Sequence, residues 1–257
     1  MHITSLQNPR VKHIVKLRDD KRQRLKDGLM LVEGYDEIQL ALSAGCSPQT
    51  LLFSPEIVSR QISGLNTEIL TVSRNVFEKI SYRDNPDGWL AIFHLPRRTL
   101  ETLNLLSKAP LVIVAESIEK PGNLGAVLRT ADAAHVDAVL LCDPRVDLWN
   151  PNVVRASRGA IFSVPVVECD NATALKWLKG RMIRVLAATP RGDGIYTNED
   201  LSAPIAIAVG TEDEGLTNFW LDNSDIRVKI PMLGKVNSLN VSVSTALIVY
   251  EAVRQRS

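Results

Sequence analysis

Six short runs in the second half of the chain constrain its fold most: LVIVAE (111–116), AVLLC (138–142), VPVVE (164–168), RVLAAT (184–189), PIAIAVG (204–210) and IRVKI (226–230). Each is nearly continuous Val, Ile, Leu and Ala. A strand with one wet face would alternate apolar and polar residues. A strand covered by helices on both faces has no such need. The second half is therefore expected to be an α/β domain with a mostly parallel, helix-covered sheet. At 45% hydrophobic residues over 257 positions, the chain can supply such a core.

The first half carries a smaller version of the same alternation. Residues 10–27 form a helical pattern, with Val11, Ile14 and Val15 as its apolar stripe and Gly28 as its stop. LMLVEG (29–34), QTLLF (49–53), TEILTVS (67–73) and WLAIFHL (89–95) are strand-like. Helical patterns follow the first and third of them (35–45 and RNVFEKISY). Residues 1–95 suffice for a small α/β domain. Residues 96–109 contain PRR and a short helical pattern, TLETLNLLSK, and form the linker. Residues 110–257 form the second domain.

In open α/β sheets ligands bind beyond the carboxyl ends of the strands. Three loops lie there. The first, ESIEKPGNLGAVLRTADAA, turns at Pro121–Gly122 and opens a helix at Asn123-Leu-Gly125, with Arg129 six residues on. Free amides at a helix start favour anionic groups. The second, IAVGTEDEGLTNFW, ends a buried strand at Gly210 and places Glu212 directly above the sheet. The third follows IRVKI: Gly234 turns the chain, Ser238 is the expected N-cap of a long terminal helix, and Asn240 falls in its first turn. Val241, Val243 and the small residues among them are mediocre helix formers, so packing must hold that helix.

Charge is uneven. Between Arg10 and Lys26 stand Arg10, Lys12, Lys16, Arg18, Lys21, Arg22, Arg24 and Lys26 against Asp19 and Asp20, in a chain whose net charge is only +1. Such a basic arm on a near-neutral body is a footprint for phosphate binding. The phosphate-gripping residues expected from it are Arg10, Lys12, Lys16, Lys21, Arg22 and Arg24; the alternative on charge alone is a solvated helix face. Cys46, Cys142 and Cys169 are scattered, as are the four histidines, so no metal site and a reducing, cytoplasmic setting are expected. No run approaches the ~20 apolar residues of a membrane helix. The polar start MHITSLQNPR lacks the apolar core of a signal peptide. The absence of G-x-G-x-x-G and G-x-x-x-x-G-K-[ST] argues against an ordinary dinucleotide or P-loop enzyme.

Taken together, EKPGNLGAVLRTADAA, AVGTEDEGL and KIPMLGKVNSLNVSVSTALIVYE resemble, in order and spacing, the three motifs of the SpoU/TrmH family of the SPOUT methyltransferases. The resemblance is strong over 110–257. Over 10–95 it extends more weakly, to the substrate-binding domain that many members carry. It implies a trefoil-knotted catalytic domain, S-adenosylmethionine as cofactor, RNA as substrate and a homodimer with active sites near its interface. On matching motif positions, cofactor contacts would come from Gly210, Ile230 and Leu239, joined by the strand end Ala187, Ala188 and Thr189. Catalytic positions would be Asn123, Arg129, Glu212, Ser238 and Asn240.

The implied reaction is methyl transfer to a ribose 2′-hydroxyl. A guanidinium is a poor base, its pKa exceeding about 12, so Arg129 is expected to bind phosphate or stabilise developing oxyanion, and the base stays open. One departure concerns the second motif, which often reads G-[ST]-E-G-x-G. Asp213 stands where that glycine would be, so a less free backbone or a differently aimed loop is expected there. Ribosomal RNA is favoured over transfer RNA because of the extra N-terminal domain. The reading from a different class is a non-catalytic RNA-binding protein that keeps the fold.

Overall fold

The computed structural model describes residues 2–257. It divides into two compact units. One comprises the chain through Arg97 together with Asp147–Ser163; the other comprises Arg98–Val146 and Val164–Ser257.

The first unit holds five strands: β1 (His2–Ile3), β2 (Leu29–Glu33), β3 (Pro48–Phe53), β4 (Glu68–Val72) and β5 (Trp89–His94). They lie in the order β1-β4-β3-β5-β2. β5 runs antiparallel to both β2 and β3, whereas β3 and β1 run parallel to β4. The helices Pro9–Asp19 and Arg74–Ile80 close a core of Ile14, Leu17, Phe77, Ile80, Leu31 and Leu90. The single helix expected over 10–27 is in fact two. Asp20 adopts φ −119°, ψ 113°, and its carboxylate accepts from the Arg22 amide at 2.8 Å, so it caps a second helix, Lys21–Asp27. A break made by capping carries no proline or glycine to announce it.

Asp147–Ser163 completes this unit. Its helix Pro151–Ser157 packs on β2. Asp147 pairs with the guanidinium of Arg24, a residue 2% exposed overall, and that guanidinium also donates to the Leu17 and Arg18 carbonyls at 2.5 and 2.9 Å. Arg24, expected to grip RNA, is therefore a packing residue whose donors are occupied. Gly159 lies at φ +83°, where a Cβ would stand 2.6 Å from Leu40 Cδ1.

The second unit is the expected parallel sheet: β6 (Leu111–Glu116), β7 (Ala138–Cys142), β8 (Val166–Cys169), β9 (Arg184–Ala188), β10 (Gly194–Ile195), β11 (Ile205–Val209) and β12 (Ile226–Lys229). The order is β10-β12-β9-β11-β6-β7-β8, every neighbouring pair parallel. All residues of β6, β7 and β11 are buried, which is why those runs show no alternation. The helical pattern of residues 99–108 does not form a helix. The helices Pro121–Ala133 and Val241–Arg256 pack on each other.

Strand order decides where a ligand can sit. From β6 the chain moves to β7 and β8 on one side. From β11, beside β6, it crosses β9 to β12 on the other. The crevice between the carboxyl ends of β6 and β11 is thus the point where the winding reverses, the usual ligand position in such sheets.

Candidate active site

Two of the three motif loops leave the sheet at that crevice, and the third comes to it. Pro121 opens the helix after β6, two residues earlier than expected, and puts Asn123 in its first turn. Glu212 follows β11 by three residues. The terminal helix begins at Val241, and its N-cap is Asn240 rather than Ser238. Asn240 Oδ1 accepts from the Ser242 amide at 3.0 Å and its hydroxyl at 2.6 Å. That fixes the amide, so Asn240 Nδ2 must point away from the helix. It donates to Glu212 Oε1 and to Asn123 Oδ1 at 3.2 Å. Asn123 Nδ2 donates to the same Glu212 oxygen at 2.9 Å. The other oxygen, Oε2, pairs with Lys120 Nζ.

The Lys120 ammonium, and after it the Asn123 amide, hold the Glu212 carboxyl below the usual carboxylate range. The same pair raises Lys120. A carboxylate so stabilised is a weak base, and its oxygens are already bonded; its chemistry here is to orient neighbours. Ile118, Glu119, Arg145, Thr211, Asp213, Glu214 and Val241 complete the cavity around the cluster. Arg145 pairs with Glu119 and reaches Glu214 at 3.8 Å.

The second-motif loop closes on itself. Thr211 and Gly215 exchange backbone hydrogen bonds at 3.1 Å, and a Cβ on Gly210 would lie 2.1 Å from the Gly215 carbonyl oxygen. The left-handed residue is Gly215, at φ +71°; Asp213 takes no positive φ, so its side chain strains nothing.

Asn123, Glu212 and Asn240 are thus brought together. Ser238 is exposed, two residues short of the cap, and makes no bond to the cluster. Arg129 is exposed on the helix Pro121–Ala133 and does not line the cavity. The six residues expected at a cofactor fall as follows. β12, β9 and β11 are adjacent, so Ala187, Ala188 and Thr189, then Gly210, then Ile230 stand at three neighbouring strand ends. Leu239 is half-buried just before Asn240. In the other unit, Lys12, Lys16, Lys21 and Arg22 are exposed, and Arg10 pairs with Glu68 at 2.6 Å. Sequence reasoning missed Lys120 and Arg145. Lys120 had a signal in its place directly before Pro121-Gly-Asn123; Arg145 had none.

The profile of the SpoU rRNA Methylase family matches residues 110–250. The chain belongs to the SpoU rRNA methylase family. Residues 8–91 match a second profile, the MRM3-like substrate binding domain. Among relatives of this SpoU methylase, the 23S rRNA (guanosine(2553)-2′-O)-methyltransferase RlmP of Bacillus subtilis (strain 168) is 31% identical, covering 96% of this chain and 97% of that one. The 23S rRNA (uridine(2479)-2′-O)-methyltransferase of Streptomyces viridochromogenes is 29% identical over 99% and 92%. A solved RNA 2′-O ribose methyltransferase superposes with a TM-score of 0.89 at 42% identity, covering 100% and 99% of the two chains. The SpoU methyltransferase AviRb from Streptomyces viridochromogenes, solved with the cofactor AdoMet, gives 0.88 at 27% identity over 97% and 98%.

Proposed function

We propose that this SpoU methylase transfers a methyl group from S-adenosylmethionine to a ribose 2′-hydroxyl of ribosomal RNA. The observation that carries the reading is the convergence of Asn123, Glu212 and Asn240 at the switch point of the sheet. Full-length similarity to two 23S rRNA 2′-O-methyltransferases supports the substrate and reaction. The likeness to an AdoMet-bound neighbour supports the cofactor.

Ala187, Ala188, Thr189, Gly210, Ile230 and Leu239 are the residues to hold it. Small side chains at two adjacent strand ends, those of β9 and β11, suit a ligand gripped through backbone groups. Bound there, S-adenosylmethionine supplies an electrophilic methyl that needs no activation by the protein. The protein's tasks are to orient the hydroxyl and to manage its proton. Asn123 and Asn240, locked by Glu212, present fixed amides for the first task. Arg129, exposed on the helix Pro121–Ala133, is available to meet phosphate or developing negative charge. Lys12, Lys16, Lys21 and Arg22 would grip RNA backbone from the first unit, whose profile is that of a substrate-binding domain.

The homodimer belongs to the same proposal. Val243, Leu247 and Tyr250 recur along one side of the terminal helix and are 45%, 38% and 48% exposed, an apolar stripe suited to a second copy. The trefoil knot is proposed on the family resemblance. A cytoplasmic setting follows from the proposed substrate; no helix among the described residues is long and apolar enough to cross a membrane, and no group of metal-ligating side chains occurs among them.

The test is methylation of 23S rRNA fragments with labelled S-adenosylmethionine, with binding followed by calorimetry. Arg129→Ala should abolish transfer while cofactor binding survives; equal activity removes Arg129 from the mechanism. No cofactor binding by the unaltered protein at ~1 mM, about −4 kcal/mol, would favour a non-catalytic RNA binder instead.

A further inference from the structure

The mechanism above leaves Glu116 unexplained. It ends β6, is 0% exposed, and receives three hydrogen bonds, all from neutral donors. Thr217 N–H donates to Oε2 at 2.8 Å; the Thr217 hydroxyl and Asn171 Nδ2 donate to Oε1 at 2.7 and 2.9 Å. Asn171 Oδ1 in turn accepts from Trp220 Nε1 at 2.6 Å. Three donors converge on two oxygens, and each oxygen must accept. Only a carboxylate accepts at both ends and donates at neither. A buried carboxylate without a cation is an expensive group to keep for packing alone.

What it holds is informative. The second-motif loop runs from Gly210 to Thr217 and carries Glu212. At its start it is continuous with β11, and the Thr211–Gly215 bridge ties the loop only to itself. Its far end is tied to the first-motif strand through Thr217 and Glu116. We infer that Glu116 is a positioning residue for methyl transfer: by clamping Thr217 to the end of β6, it fixes Glu212 opposite Asn123 and Lys120. Asn123 and Lys120 follow β6 itself, so the clamp joins both halves of the cluster to one strand end. Glu116 touches no reacting atom; it acts through Glu212.

This inference rests on the methyltransferase reading, and the experiment separates the two. In Glu116→Gln the amide nitrogen faces the Thr217 N–H, donor against donor, while size is kept. Single-turnover methylation of a 23S rRNA fragment should slow by about tenfold to a hundredfold, with KM for RNA and cofactor within about twofold, because an orienting group is misplaced rather than lost. The double variant Glu116→Gln/Glu212→Gln should be within about twofold of Glu212→Gln alone, since both act through one group. Thr217→Val, at an exposed position, removes one bond from the other side and should give a smaller loss in the same parameter. Amide exchange should speed up over residues 211–217 and not in β7. Wild-type rates in both single variants, or full additivity in the double variant, overturn the inference. An unaltered protein that transfers no methyl overturns the reading instead, and the exchange measurement still decides whether Glu116 holds the loop.

Discussion

Arg24→Ala separates a folding role from an RNA-binding one. In the intact protein the guanidinium, 3% exposed as a side chain, binds the Leu17 and Arg18 carbonyls and the Asp147 carboxylate, itself 12% exposed. The alanine variant strands that carboxylate with one remaining donor, the Trp149 amide at 3.2 Å, and leaves two carbonyls at the end of the helix Pro9–Asp19 without this partner. Removing one member of a buried, hydrogen-bonded pair costs about 3–5 kcal/mol. Against a typical total of about 5–15 kcal/mol, this is a large share. At about 4 °C per kcal/mol, the melting transition should fall by roughly 10–20 °C. Thermal denaturation followed by near-ultraviolet circular dichroism measures this, and limited proteolysis should cut first within 147–163. Arg24→Ala/Asp147→Ala should recover part of the loss, because the stranded charge is gone. The contrast is Lys12, Lys16, Lys21 and Arg22 changed together to Ala: an unchanged melting temperature, weaker RNA binding, and a salt slope smaller by up to about 3–4. An Arg24→Ala protein that melts within ~1 °C of the original and loses RNA affinity in a salt-dependent way would refute the reasoning.

Two further outcomes follow from the titrating groups. Glu212 is held low by Lys120, so it stays ionised as pH falls through the ordinary carboxylate range; Lys120→Met should move the acid limb of the methylation rate to higher pH, and superimposable pH–rate profiles would count against the pairing. Cys142 and Cys169, at neighbouring strand ends, have sulfurs 3.9 Å apart. The hydrogen bond between them and burial push Cys142 up, while the same bond draws Cys169 down. Iodoacetamide at neutral pH should therefore label Cys169 well before Cys142 in the native protein, as read by peptide mass spectrometry, and the reverse order would contradict that assignment.

The second sheet was legible because burial on both faces is written into each strand locally. LVIVAE and AVLLC become β6 and β7 with the bounds expected of them. The order of the strands was not legible, since it depends on which runs pair across distances of up to about a hundred residues. Arg24 shows the same limit at one residue. Within KLRDDKRQRLK it looks like any other surface cation. Its burial is decided by Asp147, 123 residues away. The cysteines show the same limit: Cys142 and Cys169 are far apart in sequence and opposite each other in adjacent strands. Asn123, Glu212 and Asn240 were found because each sits at a fixed offset from a strand end or helix start, which sequence does encode.

The cap of the terminal helix shows why the third motif needs an asparagine where the rules of capping alone would accept serine. Ser238 and Asn240 both have an oxygen able to accept from a helix amide. The helix begins at Val241 because only one of the two has a second use for its side chain. Asn240 turns Oδ1 to Ser242 and is left with an amide nitrogen facing the Glu212 carboxylate. A serine there would cap and would not reach; an aspartate would cap and would set a second carboxylate against Glu212, two acceptors with no proton between them. The choice of cap, worth about 1 kcal/mol to a helix in isolation, is made by the active-site cluster. The start of the helix and the aim of Glu212 are one structural event, so the register of a terminal helix whose own propensity is poor is set from the site outward.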